Sequence, residues 1–200
     1  MGFRYEIRLS GSGGQGLILM GIILAEGIGI YEGKFVAQTQ SYGPEARGGV
    51  SKSEVIVSDE EIDYPKAMSL DLLLAMNQKS CEEYYQDLKP EGLLVVDSTF
   101  VTQIPIQKAF QIPFTQIARD KFKREVVANI VALGALTQLT PIITPKAIEQ
   151  AVLTRVPKGT EKLNRDALRA GITAAKRAKR EWGRAEPPLE IPKEDLLDSY

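Results

Sequence analysis

The sequence predicts an α/β fold with parallel strands at its centre. A strand, a glycine loop and a helix follow one another at the amino-terminal end of the chain. Two continuous apolar runs, Leu70–Met76 and Leu93–Val96, flank a short amphipathic helix, as expected of central parallel strands joined by a crossover. A third observation is a long amphipathic helix that includes Leu163, Ala170 and Trp182 at helical spacing.

The first half of the chain alternates strands with one buried helix. Tyr5, Ile7 and Leu9 alternate with charged residues, which predicts a strand with one wetter face. The segment Leu17–Ile30 is apolar at nearly every position, so we expect a helix buried on most sides. Further strands are predicted at Lys34–Thr39 and Val50–Val57.

The second half is expected to continue this pattern and to end in helices. Ser80–Glu83 has a capping-box pattern and predicts a helix that runs to about Leu88 and stops at Lys89–Gly92. Ile112–Ile117 is a candidate sixth strand. Helices are predicted at Val126–Leu139, at Lys146–Arg155 and over the amphipathic segment. We expect one domain over residues 1–184 and a Pro-rich acidic tail over residues 185–200.

Composition excludes several kinds of chemistry. The chain has no histidine and a single cysteine, Cys81, so it cannot form a Ser-His-Asp set, a His-ligated metal site or a cysteine-held cluster by itself. Leu17–Ala25 falls short of the roughly 20 residues that cross a bilayer. We therefore expect a cytoplasmic protein with no membrane contact, no bound metal and no catalytic residue of its own.

The near-zero net charge of −1 hides an uneven distribution. Residues 1–154 carry 14 basic and 18 acidic side chains, residues 155–184 carry 10 and 3, and residues 185–200 carry 1 and 5. The basic segment coincides with the last predicted helix, which is either a solvated helix or a surface for an acidic partner or scaffold. Because only Trp182 could stack on a base, we expect no nucleic-acid binding.

The glycine loop comprises Gly11, Ser12, Gly13, Gly14, Gln15 and Gly16, with the glycine spacing of a dinucleotide-binding fingerprint. That fingerprint also needs an acidic residue at the end of the second strand, where this chain has Thr39, Gln40 and Ser41. The missing acid disfavours a self-contained NAD(P)-dependent dehydrogenase. The loop either binds another phosphate group or allows a strand and a helix to pack closely.

A second unusual loop comprises Tyr42, Gly43, Pro44, Glu45, Ala46, Arg47, Gly48 and Gly49. It is either a solvated connection in which Glu45 and Arg47 screen each other, or a loop whose arginine meets a carboxylate or phosphate. Asn129 interrupts an apolar helix and Asp97 follows the fifth strand. Asn129 is interpreted first as a satisfied structural residue, with a contact to a loop or a ligand as the alternative. Asp97 lies either at the crevice of an open α/β sheet or in a turn that it caps, and the sequence fits both equally well.

Together, these two loops resemble the gamma subunit of the 2-oxoacid:ferredoxin oxidoreductases. The matching residues are Gly11–Gly16, Gln38–Gly49 and the strand Ser51–Val55, with supporting matches at 62–65, 71–74, 95–98 and 128–134. The resemblance covers about residues 4–180. The second loop is closer to the 2-oxoglutarate and branched-chain 2-oxoacid branch than to the indolepyruvate branch.

The resemblance implies a three-layer α/β/α domain with a mixed, mostly parallel sheet and C-terminal helices. It implies a complex with alpha and beta subunits and usually a ferredoxin-like delta subunit. Such a complex oxidatively decarboxylates a 2-oxoacid to its acyl-CoA, and 2-oxoglutarate is the favoured substrate. Thiamine diphosphate, Mg²⁺ and iron-sulfur clusters then belong to partner chains, and this chain is inactive alone. Gly11–Gly16 would cradle the pyrophosphate of coenzyme A, and Tyr42–Gly49 would face the active site.

Overall fold

A computed structural model describes residues 2–42, 50–106 and 109–185. Of residues 183–185 it describes the backbone alone. Within these residues the strands are β1 Arg4–Ser12, β2 Phe35–Tyr42, β3 Val50–Ser58, β4 Leu70–Ala75, β5 Leu88–Asp97 and β6 Ala109–Ile112. They form one sheet in the order β2-β3-β1-β4-β5-β6. The second loop, apart from Tyr42, and the tail from residue 186 lie outside the described residues.

The sheet is mixed, and the pairing changes direction at β1. The pairs β1–β4, β4–β5 and β5–β6 are parallel, whereas β1–β3 and β2–β3 are antiparallel. Three of these five pairings are parallel, so the mixed, mostly parallel sheet is confirmed. The central parallel strands β4 and β5 are buried apolar runs because both of their faces are covered.

The helices cover the two faces of the sheet unequally. They are α1 Leu17–Glu26, continued by a π-helical turn over Gly27–Tyr31, α2 Gln78–Tyr84, α3 Phe114–Phe122, α4 Ala128–Leu139, α5 Pro145–Arg155 and α6 Glu161–Ala185. Five of them share one core with Ile7, Leu72 and Val95, while α2 packs on the opposite face against Leu73 and Leu94. This is the expected three-layer arrangement.

The closest helix packing joins α4 and α6, and glycines make it possible. A side chain at Gly134 would overlap the backbone carbonyl of Leu168, and one at Gly171 would overlap that of Val131. Two helices can approach this closely only where neither carries a Cβ at the contact. The alanine-rich stripe of the basic helix therefore packs on the body of the protein, as its sequence indicates.

The charged face of β1 is buried, which corrects the expectation of a wetter face. Arg8 is 5% exposed and pairs with Glu54 at 2.7 Å and with Asp87. Glu6, 6% exposed, accepts the N–H groups of Met68 at 2.6 Å and Ser69 at 2.9 Å. Charges can be buried when partners satisfy them, and alternation alone does not reveal those partners.

The pKa of Glu6 reflects two opposing effects, burial and hydrogen bonding. Burial alone would raise this pKa, but hydrogen bonds from the backbone of Ser69, the guanidinium of Arg4 and the backbone of Met68 outweigh burial and lower it. The ionised carboxylate thus fixes residues 68–69 against β1.

Two predicted boundaries near the middle of the chain are wrong. The N-cap of α2 is Asn77, which accepts the N–H of Ser80 at 2.8 Å, so the helix begins before the predicted capping box. β5 begins at Leu88 and includes the predicted stop at Lys89–Gly92. Its pairing with β4 shifts register between Leu70 and Leu72, and such an irregularity accommodates Pro90 within a strand.

The predicted strand over Ile112–Ile117 is wrong beyond its first residue. β6 ends at Ile112, and α3 begins at Phe114 after Pro113. Proline has no N–H to donate to a ladder, so it ends the strand, and the carbonyl of Pro113 accepts the N–H of Ile117 at 2.9 Å in the first helical turn. Short apolar runs of this kind fit either a strand or a helix.

None of the helices in the described part of the chain is long and apolar enough to cross a membrane. The same residues contain no group of three or more His, Cys, Asp and Glu side chains arranged to hold a metal ion.

Candidate functional site

The glycine loop lies where β1 passes into α1, at the strand where the sheet changes from antiparallel to parallel pairing. Gly11 and Ser12 still belong to β1 and pair with Ser51 and Val50 of β3. The irregular part of the loop is therefore only residues 13–16. β1 extends further than the sequence predicts because β3 supplies a partner for its last two residues.

Backbone conformation explains two of the glycines. Gly14 has φ 90° and Gly16 has φ 74°, in the left-handed region that side chains disfavour. The N–H of Gln15 donates to the carbonyl of Ser12 at 3.2 Å and closes a tight turn. Gly13 has neither a positive φ nor a close neighbour, since an added Cβ would meet no atom within 4 Å. Gly13 and Gly14 thus present bare backbone to open space.

Side chains from the end of β4 hold the loop in place. Gln15 accepts the N–H of Ser12 at 2.7 Å through Oε1, and its Nε2 donates to the carbonyl of Met76 at 3.2 Å. Asn77 donates from Nδ2 to the Ser12 hydroxyl at 2.6 Å. These bonds fix the loop without using the N–H groups of Gly13 and Gly14.

Asn129 holds the other end of the loop. It lies in the first turn of α4, is 4% exposed and donates from Nδ2 to the carbonyl of Gly16 at 3.4 Å. Its Oδ1 accepts the N–H of Ile130 at 2.8 Å. A side chain at Gly16 would clash with this amide, so the glycine is required by contact as well as by φ. Asn129 is therefore a loop contact, one of the two outcomes that its sequence context left open.

The start of α1 adds the electrostatics of an anion site. Its N-cap is Gly16, which offers no side-chain hydrogen bond, and its first turn contains no acidic residue. The first N–H groups of a helix have no partner within it, and the helix dipole places partial positive charge there. Gly13 and Gly14 come just before these donors in the chain, so the loop leads into a helix start whose electrostatics favour an anion.

A cavity of about 500 Å³ opens beside the loop, and several residues that line it were not predicted from the sequence to do so. Ser12–Gln15 form one wall, and the others come from Met76, Phe100, Thr115, Glu125, Val126 and Ala128. Phe100 is 38% exposed and Val126 is 72% exposed, so apolar surface faces the polar loop. Phe100 lies in a turn, Val126 in a short 3-10 helix, and Thr115 and Ala128 near the starts of α3 and α4. Only tertiary packing brings these residues to the glycine loop, so no spacing in the sequence marks them.

Polar groups around the cavity are paired with one another. Asp97 is fully buried and accepts the N–H of Thr115 at 3.1 Å and the N–H of Thr99 at 3.0 Å. At the end of β5, Asp97 thus caps the turn that follows, one of the two roles that its sequence position allows. Glu125 pairs with Arg119 at 2.8 Å, and the Arg119 guanidinium lies 5.4 Å from the centre of the Phe100 ring.

The second loop begins and ends beside the glycine loop. Tyr42, 68% exposed, ends β2 and pairs with Ser51 of β3, which itself pairs with Gly11. Val50, where the chain is described again, pairs with Ser12. The second loop thus joins the antiparallel strands β2 and β3. It does not follow the carboxyl end of a strand that pairs in parallel with β1. Gly43, Pro44, Glu45, Arg47, Gly48 and Gly49 lie outside the described residues.

The strand order also argues against a dinucleotide-binding domain. In that fold the strand after the first helix lies beside the first strand, pairs with it in parallel and carries the acidic residue that binds ribose. Here β3 lies between β1 and β2, so β2 runs in the same direction as β1 but does not pair with it. Among the described strands, β2 lies at the sheet edge and pairs with β3 alone. The glycine loop therefore serves a different fold from the one that its spacing suggests.

Comparisons with known proteins also place the chain outside the dinucleotide-binding fold. Residues 6–174 match the family model described as pyruvate ferredoxin/flavodoxin oxidoreductase. The chain is 49% identical over 177 residues to 2-oxoglutarate synthase subunit KorC of Methanocaldococcus jannaschii, covering 86% of this chain and 95% of the relative.

Solved structures give the same result. The gamma subunit of a keto/oxoacid ferredoxin oxidoreductase from Geobacter sulfurreducens has a TM-score of 0.80 and 49% identity, covering 88% of this chain and 98% of that one. A 2-oxoglutarate:ferredoxin oxidoreductase from Magnetococcus marinus, solved with 2-oxoglutarate, coenzyme A and succinyl-CoA bound, has a TM-score of 0.72. At 24% identity, with 92% of this chain and 32% of that one covered, it shows a shared fold.

The fold class is thus that of the gamma subunits of keto/oxoacid oxidoreductases, and the resemblance seen in the two loops is confirmed. The chain belongs to the pyruvate ferredoxin/flavodoxin oxidoreductase family.

Proposed function

We propose that this chain is the gamma subunit of a 2-oxoglutarate:ferredoxin oxidoreductase and that its glycine loop binds the pyrophosphate of coenzyme A. The 49% identity to a 2-oxoglutarate synthase subunit over nearly all of that relative supports the choice of 2-oxoacid. One observation carries the site: bare backbone at Gly13 and Gly14 faces an open cavity at the uncapped start of α1.

The residues of this chain bind and position rather than react. The N–H groups of Gly13, Gly14 and the first turn of α1 donate to the pyrophosphate oxygens. Gln15, Asn77 and Asn129 keep the loop in the conformation that presents those donors. Phe100 and Val126 supply apolar surface for the rest of the coenzyme, and Arg119 offsets the charge of Glu125 on the same wall.

The reaction then depends on a division of labour between chains. The 2-oxoacid loses CO₂ and two electrons, its acyl group passes to the coenzyme A thiol, and ferredoxin accepts the electrons. Thiamine diphosphate with Mg²⁺ would be held by the alpha and beta partners. The iron-sulfur clusters would be held by the beta or delta partner, because a lone cysteine cannot hold such a cluster. The loop Tyr42–Gly49 faces the active site that these chains form. The complex works in the cytoplasm.

A single methyl group tests the loop. Gly13→Ala adds a Cβ into the open space that the pyrophosphate would occupy, without backbone strain or a clash within the chain. In the reconstituted complex we expect the KM for coenzyme A to rise roughly tenfold, equivalent to about 1.4 kcal/mol of lost binding, with the KM for 2-oxoglutarate unchanged. Ferredoxin reduction at varied coenzyme A concentration measures it.

Gly29→Ala is the matched control. It adds the same methyl group at a glycine of ordinary φ beyond α1, where the new Cβ makes only normal contacts with Val36. This variant should leave both KM values unchanged. An unaltered KM for coenzyme A in Gly13→Ala would contradict the binding of coenzyme A by the glycine loop. A wild-type complex that prefers pyruvate to 2-oxoglutarate would contradict the choice of 2-oxoglutarate as substrate.

A further inference from the structure

A groove of about 650 Å³ separates α3 from α6 on the side of the molecule away from the β2 edge. Its floor is apolar and includes Ile117 of α3 and the alanines Ala174 and Ala178 of α6. The short alanine side chains, four residues apart on one face of α6, leave the space open.

The rims of the groove are basic. Lys121 of α3 and Arg177 and Arg180 of α6 line it, opposed by one acid, Glu181, which pairs with Arg177 at 2.7 Å. The charged side chains of the groove therefore sum to +2. In the part of the chain that the structure describes, Lys121 and Arg180 have no acidic partner within 4.0 Å, so both are available to an acidic ligand.

Residues 186–200 of the same chain have the complementary chemistry. They carry five acidic side chains and one basic, a net charge of −4, and their apolar side chains are Leu189, Ile191, Leu196 and Leu197. The function proposed above gives no role to residues 186–200. An acidic segment with spaced apolar side chains suits a groove with an apolar floor and basic rims.

We propose that residues 186–200 bind in the groove between α3 and α6 of their own chain. This inference does not rest on the proposed function. The segment follows directly on α6, whose last turns line the groove. Direct attachment gives the segment an effective concentration in the millimolar range, which favours it over an unattached peptide of similar chemistry.

The geometry permits the chain to turn back. The groove-lining part of α6, residues 170–181, is about 17 Å long at the helical rise. Fifteen residues can span at most about 50 Å when extended, so the tail is long enough to reverse direction and cover the groove.

Hydrogen exchange in the full-length chain tests the contact. We expect the amides of residues 189–197 to exchange at least roughly tenfold more slowly than an unstructured peptide, and the protection to weaken in high salt. The double variant Lys121→Glu, Arg180→Glu reverses two of the three rim cations, changes the summed charge of the groove from +2 to −2, and should restore exchange to near the unstructured rate.

A second double variant, Lys146→Glu, Lys158→Glu, is the control. It changes the net charge equally at two exposed lysines that do not line the groove, and it should leave the protection unchanged. Fast exchange in the wild-type chain would overturn the proposal. Equal loss of protection in both variants would also overturn it, as would protection that rises with protein concentration, which would indicate exchange between copies.

Discussion

Cys81 illustrates how burial controls the chemistry of a single residue. It lies in the smaller core beneath α2 and is fully buried. Burial, with a further contribution from the charge of Glu82, raises the pKa of this thiol to about 11. At pH 8 roughly one thiol in a thousand is then ionised, and only the thiolate is an effective nucleophile.

We therefore expect Cys81 of the native chain to resist dithionitrobenzoate at pH 8. The same protein unfolded in guanidinium should react within minutes, because the exposed thiol regains an ordinary pKa. Absorbance of released thionitrobenzoate measures both rates. Prompt reaction of one thiol per native chain would show that α2 opens readily and that the burial described here does not persist in solution.

At the scale of elements, the α4–α6 contact makes a sharper prediction. Gly171→Ala places a methyl group against the backbone carbonyl of Val131. Alanine gains about 1 kcal/mol of helix propensity, but overpacking against backbone costs about 1–3 kcal/mol or more, so we expect net destabilisation. Urea unfolding followed by circular dichroism measures it.

Thr173→Ala provides the comparison on the same helix. Thr173 is exposed and its hydroxyl bonds only to the carbonyl of Arg169 within α6, so this variant should be neutral or slightly stabilising. If Gly171→Ala proved as stable as Thr173→Ala, the close approach of α4 and α6 would be wrong.

The same elements show what sequence can and cannot predict. α4 and α6 were predicted within a few residues because long helical periodicity is a strong signal. β5 and α3 were misjudged because their boundaries depend on a register shift and on Pro113. At the candidate site, glycine spacing predicted the loop Gly11–Gly16, whose binding role stays a prediction. Phe100 and Val126 were not predicted to lie beside this loop, because only tertiary packing brings them there.

At the scale of the whole molecule, we expect the second loop to matter in the assembled complex and not in the isolated chain. Arg47→Ala should leave the thermal stability of the isolated chain unchanged, because the loop joins strands that are already paired on both sides of it. In the reconstituted complex, loss of an arginine that meets an anionic group should lower turnover about tenfold or more. Lys158→Ala, an exposed cation far along the sequence, is the control. Unchanged turnover in Arg47→Ala would argue for a solvated loop.

The tethers of the glycine loop also bear on how this protein folds. β1 pairs with residues 38 to 65 positions away, and Asn77 and Asn129 then hold the loop in place. Such non-local contacts are slow to form, so the loop acquires its shape only after the sheet and α4 have assembled. Because the unfolded chain has no such pocket, a ligand bound there raises the free energy of unfolding of the whole domain in proportion to the logarithm of its concentration. Coenzyme supply would then set the lifetime of the protein as well as its rate of turnover.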